Sequence, residues 1–271
     1  LAAQAKAKKR RAQTRNTIIV AVVAVIIVGI VFLVSGTNSL KKPASATGST
    51  TTSTAAGSST TTTAASSSAN KAAQKAANAI AVKAGCPTST TARVNTQSYP
   101  AAPAMTIDTN DLYSATVVTT DGTFTMSLYA KAAPTTVNSF VFLADKDYFH
   151  CVIFHRVIPG FVDQTGDPTG TGTGGPGYQF ANENIPTAYA TGDVAMANSG
   201  ANTNGSQFFI VAPGGATQLN NDIASGGYSL FGAIISGQNV INAINAEGTA
   251  SGTPGVVQRI ISVTIHEAAG S

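Results

Sequence analysis

A mainly β fold, barrel or sandwich, is the class this 271-residue chain predicts. Three observations carry that prediction. From about Tyr113 onward the sequence breaks into many short alternating segments separated by Gly-rich loops. Within that stretch only two segments have helical periodicity, too few for alternating βαβ units. Everything before it differs in composition: a basic start, an apolar run and a Ser/Thr/Ala-rich tract.

Charge divides the chain in the same way. Residues 1–83 hold eleven Lys or Arg and no acid, whereas residues 84–271 hold five basic residues against all twelve acids, a net of −7. The overall +4 therefore belongs to the tail. The compact part is acidic and would repel phosphate, which argues against nucleic acid as a partner. In the basic tail, residues 1–16, Lys6, Lys8, Lys9, Arg10, Arg11 and Arg15 precede TIIVAVVAVIIVGIVFLV, an uncharged run of 18 residues at 17–34. As a helix this run is about 27 Å long, close to the hydrocarbon thickness of a bilayer. It predicts one transmembrane helix with a cytoplasmic N-terminus and an extracytoplasmic remainder, making the chain a single-pass membrane protein through 17–34. The competing reading is a cleaved secretory signal. Against it stand the length of the run and the position of Ala44-Ser45-Ala46, ten residues too far along.

Residues 35–85 are dominated by Ser, Thr, Ala and Gly, with too little apolar surface to offset the entropy of ordering, and are expected to be a disordered linker. Within them KAAQKAANAIAVKA, residues 71–84, has the makings of a short helix. An extended segment, 86–112, is expected to pack on the following domain, residues 113–271. The chain has two cysteines, Cys86 and Cys151. In a reducing compartment they would read as buried thiols, whereas outside the membrane they are expected to form a disulfide that pins the extended segment down.

In the domain, LYSATVVTTDGTFTMSLYA (112–130) reads as two strands joined at Asp121-Gly122, a hairpin-turn dipeptide. PTTVNSFVFLAD (134–145) has Pro in its first turn and Val137, Phe140, Val141 and Ala144 at i, i+3, i+4 and i+7 spacing, which predicts an amphipathic helix. GQNVINAIN (237–245) predicts the second helix, and VVQRIISVTIHE (256–267) a last strand. One residue resists this scheme. In IFHRVIPGFVDQTGD (153–167) the strand-like apolar run is interrupted by His155 and Arg156, and a guanidinium among apolar neighbours costs several kcal/mol unless it is paired or reaches a cleft.

FHRVIPGFVDQTGD, the loop GTGTGG and above all MANSGANTNGSQFFI resemble the cyclophilin family of peptidyl-prolyl cis/trans isomerases, in order and spacing over residues 113–267. LFGAIISGQNVINAI (230–244) is similar to the family's late strand and second helix. The resemblance implies a closed eight-stranded antiparallel β-barrel capped by two α-helices, with a shallow groove for proline-containing polypeptides on its outer face. The order of basic tail, span, linker and domain resembles membrane-tethered actinobacterial members.

The resemblance also assigns roles. Arg156 takes the position of the family's catalytic arginine. Rotation about an X-Pro bond needs no nucleophile: it breaks amide resonance against a barrier of about 18–20 kcal/mol, and a fixed cationic donor binds the pyramidal prolyl nitrogen better than the planar one. By motif position Phe161, Val162, Phe209, Leu219 and Tyr228 line the apolar proline pocket, and Gln164 and Asn198 bond the peptide backbone. Gln164 also orients Arg156, while Gly172, Ala197, Ser199 and Gln207 shape the adjoining groove. No cofactor is implied. The sequence departs from the family pattern at Val162, where methionine is frequent, at Thr165, usually glycine, and at Tyr228, often histidine. Gln218 lies at or near a tryptophan of the strong cyclosporin binders, and the chain has no Trp, so weak cyclosporin binding is expected.

Other readings weaken on inspection. Arg156 could merely pair with Asp163 or Glu183. The run from Gly170 to Gly175 satisfies G-x-G-x-x-G, but Pro176 and Gly177 follow where a dinucleotide site needs a helix. Ser206 lacks a nucleophile-elbow context. His150 sits beside Cys151, but two residues do not make a metal site. Asn204-Gly205-Ser206 is formally a glycosylation sequon that reads as a turn. The alternative function is a tethered peptide-binding module without turnover, which would not require the arginine.

Overall fold

The protein is described as a computed structural model covering residues 60–270. The predicted basic tail, the span at 17–34 and the first part of the linker lie outside the described residues. Among those described, no helix is long and apolar enough to cross a membrane.

The chain begins with α1 (Thr60–Lys83), then β1 (Leu112–Thr119), β2 (Gly122–Leu128), α2 (Pro134–Asp145), β3 (Arg156–Ile158) and β4 (Val162–Thr165). There follow β5 (Asp193–Met196), β6 (Phe208–Val211), α3 (Ala216–Asp222) running into a 3-10 turn at Ile223–Ser225, β7 (Leu230–Ser236), α4 (Gln238–Ala246) and β8 (Ile260–Ala268). The eight strands form one sheet in the order β3-β4-β6-β5-β7-β2-β1-β8, antiparallel throughout.

The closed barrel expected from the resemblance is corrected to a half-barrel with an irregular seam. The edge of β3 is engaged elsewhere, since Val157 N–H donates to the Gly252 carbonyl at 2.8 Å and the Val157 carbonyl accepts from Thr249 N–H at 3.2 Å. The two ends of the sheet therefore meet through residues 151–154. There Cys151 N–H donates to Ile260 O (2.8 Å), Ile260 N–H to Val152 O (2.8 Å) and Phe154 N–H to Gln258 O (3.0 Å). This also explains why regular β8 starts at Ile260 rather than at Val256.

α2 occupies the predicted range. Its apolar face, including Val137, Phe140, Leu143 and Ala144, fills the barrel, with Phe140 centred 5.1 Å from Phe149, 5.6 Å from Phe208 and 5.5 Å from Phe231. Each fully buried Phe contributes roughly 1.5–3 kcal/mol. No side chain of Ala133 caps the helix, so Glu183 does the work from a distance, accepting from the N–H groups of Thr135 (3.0 Å) and Thr136 (2.8 Å). Val240, Ile241 and Ile244 of α4 cover the same core. The β1–β2 turn is Thr120-Asp121, one residue earlier than predicted: Thr119 pairs with Gly122, and Thr119 Oγ1 bonds across the turn to Gly122 O and Asp121 N. Gly122 is needed for close approach, because a Cβ there would lie 2.8 Å from Val240 Cγ2.

The short helix expected at 71–84 is present and longer, Thr60–Lys83, so disorder is corrected over that part of the 35–85 linker. Alanine, lysine and glutamine give the segment high helix propensity, and Gln74, Ala77 and Ala81 form one docked face. Gln74 Oε1 accepts from Val257 N–H at 2.6 Å and its Nε2 donates to Val257 O at 3.3 Å, much as a strand partner would. Beyond α1, Cys86 and Cys151 are joined in a disulfide, and Val94 N–H and Tyr99 N–H bond to the carbonyls of Pro168 and Pro176, holding the extended segment against the domain. Pro87 O accepts from Arg259 Nη1; this arginine is fully buried, and its Nε and Nη2 have no hydrogen-bond partner among the described residues.

Candidate active site

Strand periodicity explains what the interrupted run is for. In register, Arg156 faces Gln164, Gln164 faces Phe209, and Phe209 faces Ala195, so these side chains share one face across β3, β4, β6 and β5. Val162 and Val211 lie two residues along on that same face. The alternate residues Val157, Phe208, Ile210, Val194 and Met196 point into the barrel core. Arg156 thus interrupts a core strand only in the linear sequence; in the fold it belongs to the outer face.

On that outer face a second apolar cluster forms. Val162, Phe209 and Leu219 are at most 3 % exposed, and half-buried Phe161, Ala197 and Tyr228 pack around them. All five residues assigned to the proline pocket therefore belong to one apolar cluster on this face. Phe209 and Tyr228 make an edge-to-face contact at 5.2 Å, and the Arg156 guanidinium carbon stands 5.5 Å from the Phe161 ring centroid.

A chain of amides fixes the arginine. Arg156 Nη1 donates to Gln164 Oε1 at 3.3 Å, Gln164 Nε2 to Gln207 Oε1 at 2.9 Å, and Gln207 Nε2 to the carbonyls of Gly172 (3.0 Å) and Gly174 (2.9 Å). The Gly-rich loop is itself organised by buried Asp167, whose carboxylate accepts from the N–H groups of Thr169, Thr171, Gly172 and Gly174 at 2.7–3.1 Å. Burial pushes the Asp167 carboxyl up, but these hydrogen bonds outweigh it and hold it below the usual carboxylate value.

Beside this cluster, Gln164, Gln207, Ala197, Asn198, Ser199 and the loop from Gly172 line a cavity of about 810 Å³. Asn198 stands on its rim, with Nδ2 3.5 Å from Gly227 O and Oδ1 accepting from Gly200 N–H. Of the residues assigned from sequence, Gln164, Gly172, Ala197, Asn198, Ser199 and Gln207 line this cavity, Phe161, Val162, Phe209, Leu219 and Tyr228 form the apolar cluster, and Arg156 stands between them, bonded to Gln164 and over Phe161.

Neither acid offered as a simple partner for Arg156 is available. Glu183 caps α2, and Asp163 lies on the inner face of β4, fully buried, with Oδ1 accepting from Asn245 Nδ2 at 2.7 Å. Burial pushes the Asp163 carboxyl up to about 7, with the Asn245 hydrogen bond opposing. Ser206 Oγ donates to Gly166 O and contacts Tyr148 OH, a buried structural hydroxyl. Asn204 is fully buried, with Nδ2 bonded to Ala181 O and Asn182 Oδ1, so the sequon is closed to glycan transfer. Thr165 stays in register with Phe208, and its hydroxyl donates to Ile153 O at 2.9 Å, so the usual glycine is replaced without breaking the ladder.

Sequence reasoning missed two contributors. Tyr189 is buried in the same apolar cluster, and its hydroxyl donates to Tyr228 O and accepts from Tyr228 N–H, both at 2.6 Å, clamping Tyr228 in place. Nothing in its local pattern signals this, since the contact spans 39 residues. Asp167 was legible only as part of the quoted motif.

An outer-face guanidinium bonded to no carboxylate among the described residues, set beside an apolar cluster on an eight-stranded antiparallel half-barrel, defines an isomerase of the cyclophilin type. The comparisons agree: the chain belongs to the family described as cyclophilin type peptidyl-prolyl cis-trans isomerase/CLD, which matches residues 114–267. A peptidyl-prolyl cis-trans isomerase-like 1 of Aspergillus fumigatus is 45% identical over 138 residues, covering 49% of this chain and 82% of that protein. Peptidyl-prolyl cis-trans isomerase A of Mycobacterium tuberculosis is 41% identical over 155 residues, covering 50% of this chain and 82% of that one. Among solved structures, a Cryptosporidium parvum cyclophilin type isomerase superposes with TM-score 0.51 at 32% identity, covering 57% of this chain and 98% of its own. Another structure of it was determined in the presence of the dipeptide Ala-Pro, with the same TM-score and 33% identity.

Proposed function

We propose that the chain catalyses cis/trans isomerisation of X-Pro bonds in exported or cell-envelope polypeptides, with Arg156 as the catalytic donor. The proline ring packs against the apolar cluster of Phe161, Val162, Phe209, Leu219 and Tyr228, and Gln164 and Asn198 bond the flanking peptide. As the imide twists, its nitrogen regains a lone pair, and the guanidinium held by Gln164 donates to it. A charge-assisted hydrogen bond of about 1.5–3 kcal/mol corresponds to roughly 10- to 150-fold in rate. The observation that carries this reading is Arg156 on the outer face, tied to a neutral amide rather than to a carboxylate. A pure binding module has no need of that arrangement.

The test is cis/trans exchange on a short Ala-Pro-containing peptide, comparing the native chain with Arg156→Ala. A 10-fold or greater loss with peptide affinity retained is expected; indistinguishable exchange rates would sink the catalytic assignment. The extracytoplasmic placement rests on the basic flank and the apolar run at 17–34, and the Cys86–Cys151 disulfide suits an oxidising compartment. Membrane fractionation followed by protease treatment of intact cells checks it: a domain protected until lysis would place it inside.

A further inference from the structure

Away from the groove, the end of the extended arm brings a third side chain to the His150-Cys151 pair. Cys86, delivered by the turn after α1, lies with His150 and Cys151 so that one ligand atom from each is within 4.8 Å of the others. His150 and Cys151 converge within the turn that follows α2. The backbone reason is Cys151 itself, which adopts φ +66°, the left-handed region that a non-Gly residue rarely occupies.

The histidine is already oriented as a ligand would be. Its Nδ1 is 2.8 Å from the Ile261 carbonyl, and a carbonyl only accepts, so Nδ1 carries the proton and Nε2 keeps its lone pair. Nε2 also faces the arm, lying 4.0 Å from the place a Cβ on Gly85 would take. A backbone carbonyl holding the distal imidazole N–H is the arrangement that fixes tautomer and ring orientation in metal-binding histidines. Both sulfurs are buried against Ala81, Val94 and Ile261, while His150 is half-exposed and leaves a path to solvent.

We infer that Cys86, His150 and Cys151 form a zinc site when their disulfide is reduced. Reduction breaks the S–S bond with two electrons and two protons from an external dithiol, which is itself oxidised to its disulfide. Each new thiol then gives its proton to solvent, and Zn(II) takes two thiolates and the Nε2 lone pair, with a water in the fourth position. Tetrahedral bonds of about 2.3 Å need the sulfurs roughly 3.8 Å apart, which side-chain rotation supplies from Cα atoms 5.4 Å apart. Two thiolates neutralise the ion, so the burial of both sulfurs is tolerated. The arm is then fastened by cystine in one redox state and by metal in the other.

The test uses the full-length chain, reduced anaerobically with a phosphine, and Co(II) as the probe before Zn(II). One ion per reduced chain is expected, with a thiolate-to-cobalt charge-transfer band and the visible bands of tetrahedral coordination; the oxidised chain binds none. His150→Ala should weaken Co(II) binding by at least about tenfold, and Cys86→Ser should remove most of the charge-transfer band. Limited proteolysis gives a second readout: Zn(II) should restore protection of residues 60–107 lost on reduction. Absence of stoichiometric cobalt, equal affinity in His150→Ala, or an arm that stays cleavable with zinc present would each overturn the site.

Discussion

Asp163 offers the sharpest test of the physical reading of β4, because its environment and its charge disagree. It is fully buried on the inner face of the site strand, one oxygen held by Asn245 and the other without a partner among the described residues. Burial lifts its carboxyl from 3.8 to about 7. The folded protein therefore keeps a proton that the unfolded chain releases, so stability falls as pH rises from about 4 to about 7 and levels off above that. At roughly 1.4 kcal/mol per unit of pKa difference, the full loss is about 4 kcal/mol. Asp163→Asn keeps an oxygen for Asn245 and removes the titration, leaving a pH-independent cost of about 1–3 kcal/mol for an unpaired amide NH2. Denaturant unfolding at pH 5, 6.5 and 8 should show the variant losing much less stability than the native protein across that interval. Glu247, lifted to about 7 chiefly by burial, contributes the same sign to both proteins and cancels in the difference. Parallel stability curves for the two would mean that Asp163 does not hold its proton in the fold.

Two further outcomes follow from the groove. Asp167→Ala should free the loop that anchors Gln207 and lower kcat/KM by roughly 3- to 10-fold, less than Arg156→Ala because the effect reaches the arginine through two amides; unchanged peptide exchange would show that the loop does not position Gln207. Exposed Gln218 on α3 should leave cyclosporin binding weak, and Gln218→Trp should tighten it by at least about tenfold, which titration calorimetry measures; nanomolar binding by the native chain would contradict this.

The local part of the fold was readable where one physical signal dominated. Pro134 and the spacing of Val137, Phe140, Val141 and Ala144 marked α2, and the segment GQNVINAIN (237–245) marked α4. Arg156 was legible because a permanent charge in an apolar strand demands a reason, and the motif supplied its neighbours. What stayed hidden depended on distant contacts. α3 is short and carries one buried side chain, Leu219, too little to generate a periodic signal. Residues 71–84 read as a short helix, but its docking on the domain shows only when Gln74 is seen beside Val257, and the half-barrel seam depends on the edge of β3 being taken by the 249–252 loop. Tyr189 and the convergence of Cys86 on His150 are likewise products of folding rather than of spacing.

The buried Arg259 has a practical consequence for where this protein can be cut. The family match begins at residue 114, yet the carbonyl that receives this guanidinium comes from Pro87 and half of the cystine from Cys86. A truncation at the homology border would bare a cation built to be covered and strand a lone thiol. The cooperative unit starts upstream, with the helix that looks most like dispensable spacer.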